Sequence, residues 1–208
     1  MIRLYRFAFS TNVERVALAI AHKGLPCESV PIDPDDRGVV RAVSGQDLVP
    51  VIVDRAHGDK VVVDSMAIVR YLEETYPGAP LYPKDPARRA EMDVFIEWFN
   101  RVWKRPPNLI FDELQRSDPD PVKMDAWGAE MAGWLVLFEN MLAGRDYLMG
   151  DAFQAADCCA FPFLKYALLH DPADTHLFHR ILIERMPLEG RYPSLTRWIR
   201  RVDLRPRA

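Results

Sequence analysis

Four prolines fall within ten residues, in the run Tyr76-Pro77-Gly78-Ala79-Pro80-Leu81-Tyr82-Pro83-Lys84-Asp85-Pro86. Proline fixes φ and donates no backbone hydrogen bond, so neither a helix nor a central strand passes through such a stretch. The chain is cut in two there, and the apolar pattern differs on the two sides. Residues 1–77 read as an α/β domain, 78–86 as a stiff, extended linker and 87–208 as an all-α helical bundle.

On the first side, Ile2-Arg3-Leu4-Tyr5-Arg6-Phe7 has the composition of a strand and runs into the turn-forming cluster Ser10-Thr11-Asn12. A helix follows, with Val13, Val16, Ala17, Ile20 and Ala21 at three- and four-residue spacing, Glu14 in its first turn and Gly24 as its stop. A loose polar stretch comes next. Val49–Val53 and Lys60–Val63 then read as strands joined by the hairpin signal Ala56-His57-Gly58-Asp59, ahead of a helix from Ser65 to Tyr76.

On the second side, Met92, Phe95, Ile96, Phe99, Val102 and Trp103 share one helical face. Met124, Trp127, Met131, Trp134, Leu135, Phe138, Met141 and Leu142 share another. Ala155 to Leu169 is apolar nearly all round, as expected of a central helix, with Pro162 as a kink. Ser194 to Val202 is a last helix whose buried edge is Leu195, Trp198, Ile199 and Val202.

Charge and cysteine content exclude several classes. A net charge of -3 offers nucleic acid no attraction, and the arginines near the end of the chain read as a solvated face. The sequence has no apolar run of membrane-spanning length and no signal-peptide pattern, so a cytoplasmic location is expected, with no membrane partner. Cys27, Cys158 and Cys159 make no disulfide framework. The polar cluster His170, Asp171, Asp174, His176 and His179 reads as a turn, and no metal site is expected.

Three features in the first domain carry chemistry. A helix starting at Ser10-Thr11-Asn12 offers hydroxyls, unpaired amides and a partial positive charge to an anion. Val49-Pro50 opens a strand, which leaves the backbone of Val49 available to pair with a peptide ligand as an added strand would. Asp64-Ser65 precedes a helix, where the Ser65 N–H and hydroxyl suit a ligand carboxylate. Each of the three has a plain structural explanation as a cap or a strand start.

Taken in order, these segments resemble the cytosolic glutathione S-transferases. Ser10 with Arg15-Val16 and Lys23-Gly24 is similar to the serine-type segment of the zeta, tau and related classes. Leu48-Val49-Pro50-Val51 is similar to the cis-proline motif, and Asp64-Ser65-Met66-Ala67 to the acidic-Ser motif. Tyr76-Pro77 with Leu81-Tyr82-Pro83 resembles the interdomain linker, and Gly150 with Ala155-Ala156-Asp157 the motif that opens the central helix. The resemblance covers the whole chain and implies a thioredoxin-like first domain, a helical second domain and a homodimer.

It also implies roles. Ser10 would donate its hydroxyl to the glutathione sulfur, with Asn12 and Thr11 as alternatives, whereas Tyr5 sits mid-strand where its ring packs. Val49, beside Pro50, would pair with the cysteinyl backbone. Asp64 and Ser65 would hold the γ-glutamyl end, and Gln46 the glycine carboxylate. A second-substrate pocket between the domains would be walled by Trp103, Lys104 and Pro107. Two positions depart from the family pattern: Gln154 stands where a Ser or Thr cap is usual, and Asp47 where a glycine is.

Glutathione is then a co-substrate rather than a bound cofactor, and the expected activity is attack of its thiolate on a small electrophile, or an isomerisation. Lowering a thiol pKa by two units takes about 2.7 kcal/mol. A hydrogen bond to a charged group supplies about 1.5–3 kcal/mol and a helix terminus about 0.3–1 kcal/mol. The alternative function is a non-catalytic protein that uses the same fold to bind ligands or to dimerise.

Overall fold

The computed structural model describes all 208 residues. They form two compact units, Met1–Pro83 with Arg205–Ala208, and Lys84–Leu204. No helix is long and apolar enough to cross a membrane.

The first unit contains β1 (Ile2–Arg6), α1 (Thr11–His22), β2 (Cys27–Pro31), α2 (Gly38–Ser44), β3 (Val51–Asp54), β4 (Lys60–Val63) and α3 (Ser65–Thr75). The sheet order is β2-β1-β3-β4, with β1 parallel to β2 and the other pairs antiparallel. Leu4 and Ile52 face each other across β1 and β3 and are wholly buried. The "loose polar stretch" holds an edge strand and a short helix. β2 is Cys-Glu-Ser-Val-Pro and nowhere fully buried, and α2 buries only Val40, so neither carries the apolar period by which such elements are read.

The proline-rich run is tied down rather than free. Leu81 and Tyr82 are buried. Leu81 N–H donates to Glu73 Oε2 (3.0 Å), and that carboxylate also receives the almost wholly buried Lys23 ammonium at 2.6 Å. Lys23 further donates to the Tyr76 carbonyl, so the end of α1 holds the end of α3.

The second unit contains α4 (Pro86–Trp98), α5 (Arg105–Glu113), α6 (Pro121–Gly133), α7 (Leu135–Met141), α8 (Ala155–Leu164), α9 (Leu177–Arg185) and α10 (Pro193–Asp203). Between α4 and α5 the chain makes a π-helical turn, Phe99–Trp103. The extra residue in that turn rotates the expected apolar stripe: Phe99 and Trp103 stay buried, while Val102 is turned out to 42% exposure. α8 is buried at every position, as its composition demands, but it ends at Leu164, two residues after Pro162, and passes into a 3₁₀ turn.

Asp157 organises the start of α8. Its carboxylate accepts from Gln154 N–H (2.9 Å), Leu148 N–H (3.0 Å) and Trp198 Nε1–H (2.8 Å), and a reciprocal capping box forms although the cap is Gln154. Burial pushes this carboxyl up to about 6 against the pull of those donors. His179, from the polar cluster near residue 170, is itself buried: Nδ1 lies 2.7 Å from Asp174 Oδ2, which also accepts from Tyr166 Oη at 2.6 Å.

Candidate active site

The sheet register gathers the three chemistry-bearing segments at one end of the first unit. Tyr5 pairs with Val51 and Val51 with Val63. The loop to Ser10 leaves β1 at that end, Val49-Pro50 enters β3 there, and Asp64-Ser65 leaves β4 there. The Val49-Pro50 bond is cis. Since the ladder begins at Val51, the Val49 backbone lies outside it.

Ser10 is the N-cap of α1. Its Oγ accepts from Val13 N–H (3.4 Å) and its carbonyl accepts from Glu14 N–H (3.0 Å). A hydroxyl that accepts through a lone pair keeps its own proton to donate. Ser10 is half-buried and Thr11 buried at 7% exposure; Asn12 is half-buried.

Asp64 caps α3, with Oδ1 accepting from Met66 N–H (3.0 Å) and Ala67 N–H (2.9 Å). The cap spares the amide of Ser65, the first residue of the helix. Four non-glycine residues have positive φ; Phe9 (60°), next to Ser10, and Asp64 (68°) are two of them. The other two, Asp59 and Glu189, lie in turns.

Arg15 joins the two helix starts. It is buried to 1% exposure, and its Nη1 donates to Ser65 Oγ at 3.2 Å. Sequence reasoning registered Arg15 only as part of a motif; the signal was an arginine set among the buried positions of α1, flanked by Val13, Val16 and Ala19.

Gln46 does not stand as expected. Its Nε2 donates to the Leu48 carbonyl (2.7 Å), and Leu48 N–H donates back to Oε1, so the amide closes its own loop instead of reaching outward. Asp47, in the same loop, is gripped by Arg41 through two contacts of 2.8 Å, which hold its carboxyl below the usual carboxylate range. Arg37 donates to the Asp47 carbonyl (3.0 Å) and lies over the Phe7 ring at 4.9 Å, which brings a cation to the loop that leads to Ser10. Sequence reasoning missed Arg37 because it lies in the stretch that read as loose.

The residues expected to wall a second pocket lie in the helical unit. Trp103 is wholly buried and stacked on Phe99 at 4.4 Å, with Phe138 and Phe163 edge-on to it, which makes it core in this structure rather than an open wall. Lys104 holds its ammonium 4.9 Å over the Phe163 ring, and Pro107 is buried in the first turn of α5.

Comparison with known proteins bears on this arrangement. Residues 4–80 match the family described as the glutathione S-transferase N-terminal domain, and residues 124–201 match the glutathione S-transferase C-terminal domain. Glutathione S-transferase GstB of Escherichia coli K12 is 31% identical over 172 residues, which cover 79% of this chain and 82% of that protein. The chain belongs to the glutathione S-transferase family. Among solved structures, a glutathione S-transferase from Rhodospirillum rubrum F11 superposes with a TM-score of 0.75 at 29% identity, over 99% of this chain and 89% of that one. FtsZ-localized protein A of Caulobacter vibrioides is 26% identical over 169 residues, or 76% of this chain and 73% of that protein. The family thus spans transferases and a protein named for where it localises, and the residues of this chain's own site have to carry the argument for chemistry.

Proposed function

We propose that this chain is a glutathione transferase that binds glutathione at the end of its first sheet, ionises the thiol and directs the thiolate at a small electrophile. The observation that carries the reading is the Ser10 cap: one hydroxyl accepts from Val13 N–H while keeping its proton to donate at the start of α1. A thiolate there gains a charged hydrogen bond and the helix terminus, together about 2–4 kcal/mol, which covers the roughly 2.7 kcal/mol of a two-unit pKa shift.

The fit to glutathione extends beyond sulfur. The Val49 backbone, beside the Pro50 cis bond, pairs with the cysteinyl residue as an added strand. The Ser65 amide and hydroxyl take the γ-glutamyl carboxylate. Arg15 turns that hydroxyl outward by donating to its oxygen, and the exposed Asp64 carboxylate attracts the γ-glutamyl ammonium. For the glycine carboxylate, Arg37 replaces Gln46 in this reading, since a guanidinium has five donors and Arg37 spends only two on the carbonyls of Pro34 and Asp47.

In the reaction, the bound thiol loses its proton to water and the thiolate attacks the electrophilic carbon. The sulfur–carbon bond forms as a leaving group departs with its electron pair or, in an addition, as a π bond opens and its pair takes a proton from water. Ser10 holds the developing charge on sulfur, with Thr11 and Asn12 beside it. Lys104, half-buried at the start of α5, lines the second-substrate site in this reading. On the same reading the protein is a homodimer in the cytoplasm, as the family resemblance implies. If it binds glutathione without turnover, the binding reading takes over.

The test is an ultraviolet thiolate titration of glutathione bound to the wild-type chain and to Ser10→Ala. The bound thiol should ionise well below its free pKa. The substitution should move it back towards about 8.5 and lower kcat by roughly 10- to 100-fold, the worth of one charged hydrogen bond. A bound thiol that titrates as in water removes the transferase reading and leaves a binding protein; no binding removes both.

A further inference from the structure

The segment Arg205–Ala208 lies along the helix that carries Ser10, and it touches that helix at three levels. At the first turn, Arg207 places Nη2 2.9 Å and Nε 3.2 Å from Glu14 Oε1, with both side chains mostly buried (23% and 15% exposed). In the middle, Ala208 N–H donates to the Ala17 carbonyl (3.1 Å), while Arg6 Nη1 at the end of β1 donates to the Ala208 carbonyl (2.7 Å). At the last turn, Arg205 Nη2 donates to His22 Nδ1 (2.8 Å). The segment also braces itself, through Arg207 Nη1 to the Arg205 carbonyl (2.7 Å).

We infer that Arg205–Ala208 is a strap that fixes α1, and that Arg207 and Glu14 are positioning residues for the Ser10 hydroxyl. The inference rests on the role given to Ser10 above. Two physical effects act together. Glu14 N–H closes the first turn onto the Ser10 carbonyl (3.0 Å), so a held Glu14 holds the backbone of Ser10. Glu14 is also a carboxylate one turn from the sulfur site, where its charge opposes a thiolate; a guanidinium within 3 Å cancels most of that field. The strap permits an acidic residue in a first turn that must stabilise an anion.

The arrangement sets the state of His22. The Pro80 carbonyl can only accept and Arg205 can only donate, so the ring is neutral, with its proton on Nε2 facing Pro80 (3.2 Å) and the Nδ1 lone pair facing Arg205.

The test compares the wild-type chain with Arg207→Ala and with the charge-swapped pair Glu14→Arg plus Arg207→Glu, using two readouts. Hydrogen exchange at the amides of Val13, Glu14 and Arg15 reports the strap without any reference to glutathione. Ultraviolet titration of bound glutathione reports Ser10. In Arg207→Ala, exchange should quicken about three- to fivefold, in line with the loss of a partly buried ion pair, and the thiol should titrate several tenths of a pH unit higher. The swapped pair should restore both, which also separates a lost contact from a failure to fold. Unchanged exchange overturns the strap. Faster exchange with an unchanged thiol overturns the positioning role. A wild-type thiol that titrates as in water overturns the reading of the site itself, and that is seen before any substitution is made.

Discussion

A guanidinium at 1% exposure needs partners, and Arg15 spends part of its donor set on the hydroxyl of Ser65. Removing it while keeping the packing separates its two contributions. Arg15→Met keeps most of the side-chain volume and avoids burying a charge, so the fold should lose little. The Ser65 hydroxyl would then rotate freely, and glutathione should bind about 10-fold more weakly, the worth of one charge-assisted hydrogen bond of about 1.5 kcal/mol. Calorimetric titration with glutathione measures this. An unchanged Kd would make Arg15 a core residue only. At this scale the sequence was informative about residue type and poor about direction. Ser10 and Asp64 are the caps of α1 and α3, and Val49-Pro50 runs into β3, because caps and strand starts are local. Gln46 turned inward because a side-chain amide two residues from a backbone amide and carbonyl finds them before it finds a ligand.

Among the elements, α8 depends on one carboxylate. Asp157→Ala would strand the N–H groups of Leu148, Gln154 and Trp198, at a cost of about 3 kcal/mol or more, since each unmet buried donor costs about 1–3 kcal/mol. The expected result is a lower denaturation midpoint followed by tryptophan fluorescence. That probe is selective, because all five tryptophans lie between residues 98 and 198, in the second unit. Asp157→Asn should cost less, as it keeps an acceptor for two of the donors at most. The helices α1, α3, α4 and α10 were legible because their apolar stripes repeat over several turns, whereas the stripe from Met124 to Leu142 is not one helix but two, α6 and α7, divided at Trp134, and α9 carried no reading. β2 and α2 were not, because an edge strand and a seven-residue helix bury too little to show a period. The turn at Phe99–Trp103 was read as plain α-helix, since one extra residue leaves no compositional mark.

For the molecule as a whole, acid should be destabilising through two histidines in different units. His22 is lowered mainly by burial, with Arg205 and Lys23 adding to it, and the Pro80 contact and Glu73 opposing. His179 is lowered mainly by burial, against the pull of Asp174, with His176 and Lys165 adding to burial. A histidine whose folded pKa lies below its unfolded value of about 6.5 binds fewer protons in the native state. Nothing is lost above that pH. As pH falls below about 6.5 the unfolded chain takes up the protons first, and stability drops until the folded pKa is passed. Asp157 acts in the opposite sense, with stability falling as pH rises from about 4 to about 6. Denaturation midpoints between pH 5 and 8 should therefore decline on the acid side, and His22→Gln should flatten the decline; an unaltered slope would assign it elsewhere. The sequence by itself determined the two-part organisation, the apolar faces of α1, α4, α8 and α10, and the helix and strand starts at Ser10, Asp64 and Pro50, because caps, prolines and periodicity act over a few neighbouring residues. The tertiary structure decided that these segments share one sheet end, that Arg15 reaches Ser65, that Trp103 belongs to the core and that Arg207 reaches Glu14, 193 residues away. Contacts between distant residues depend on strand register and packing, and no local pattern encodes them.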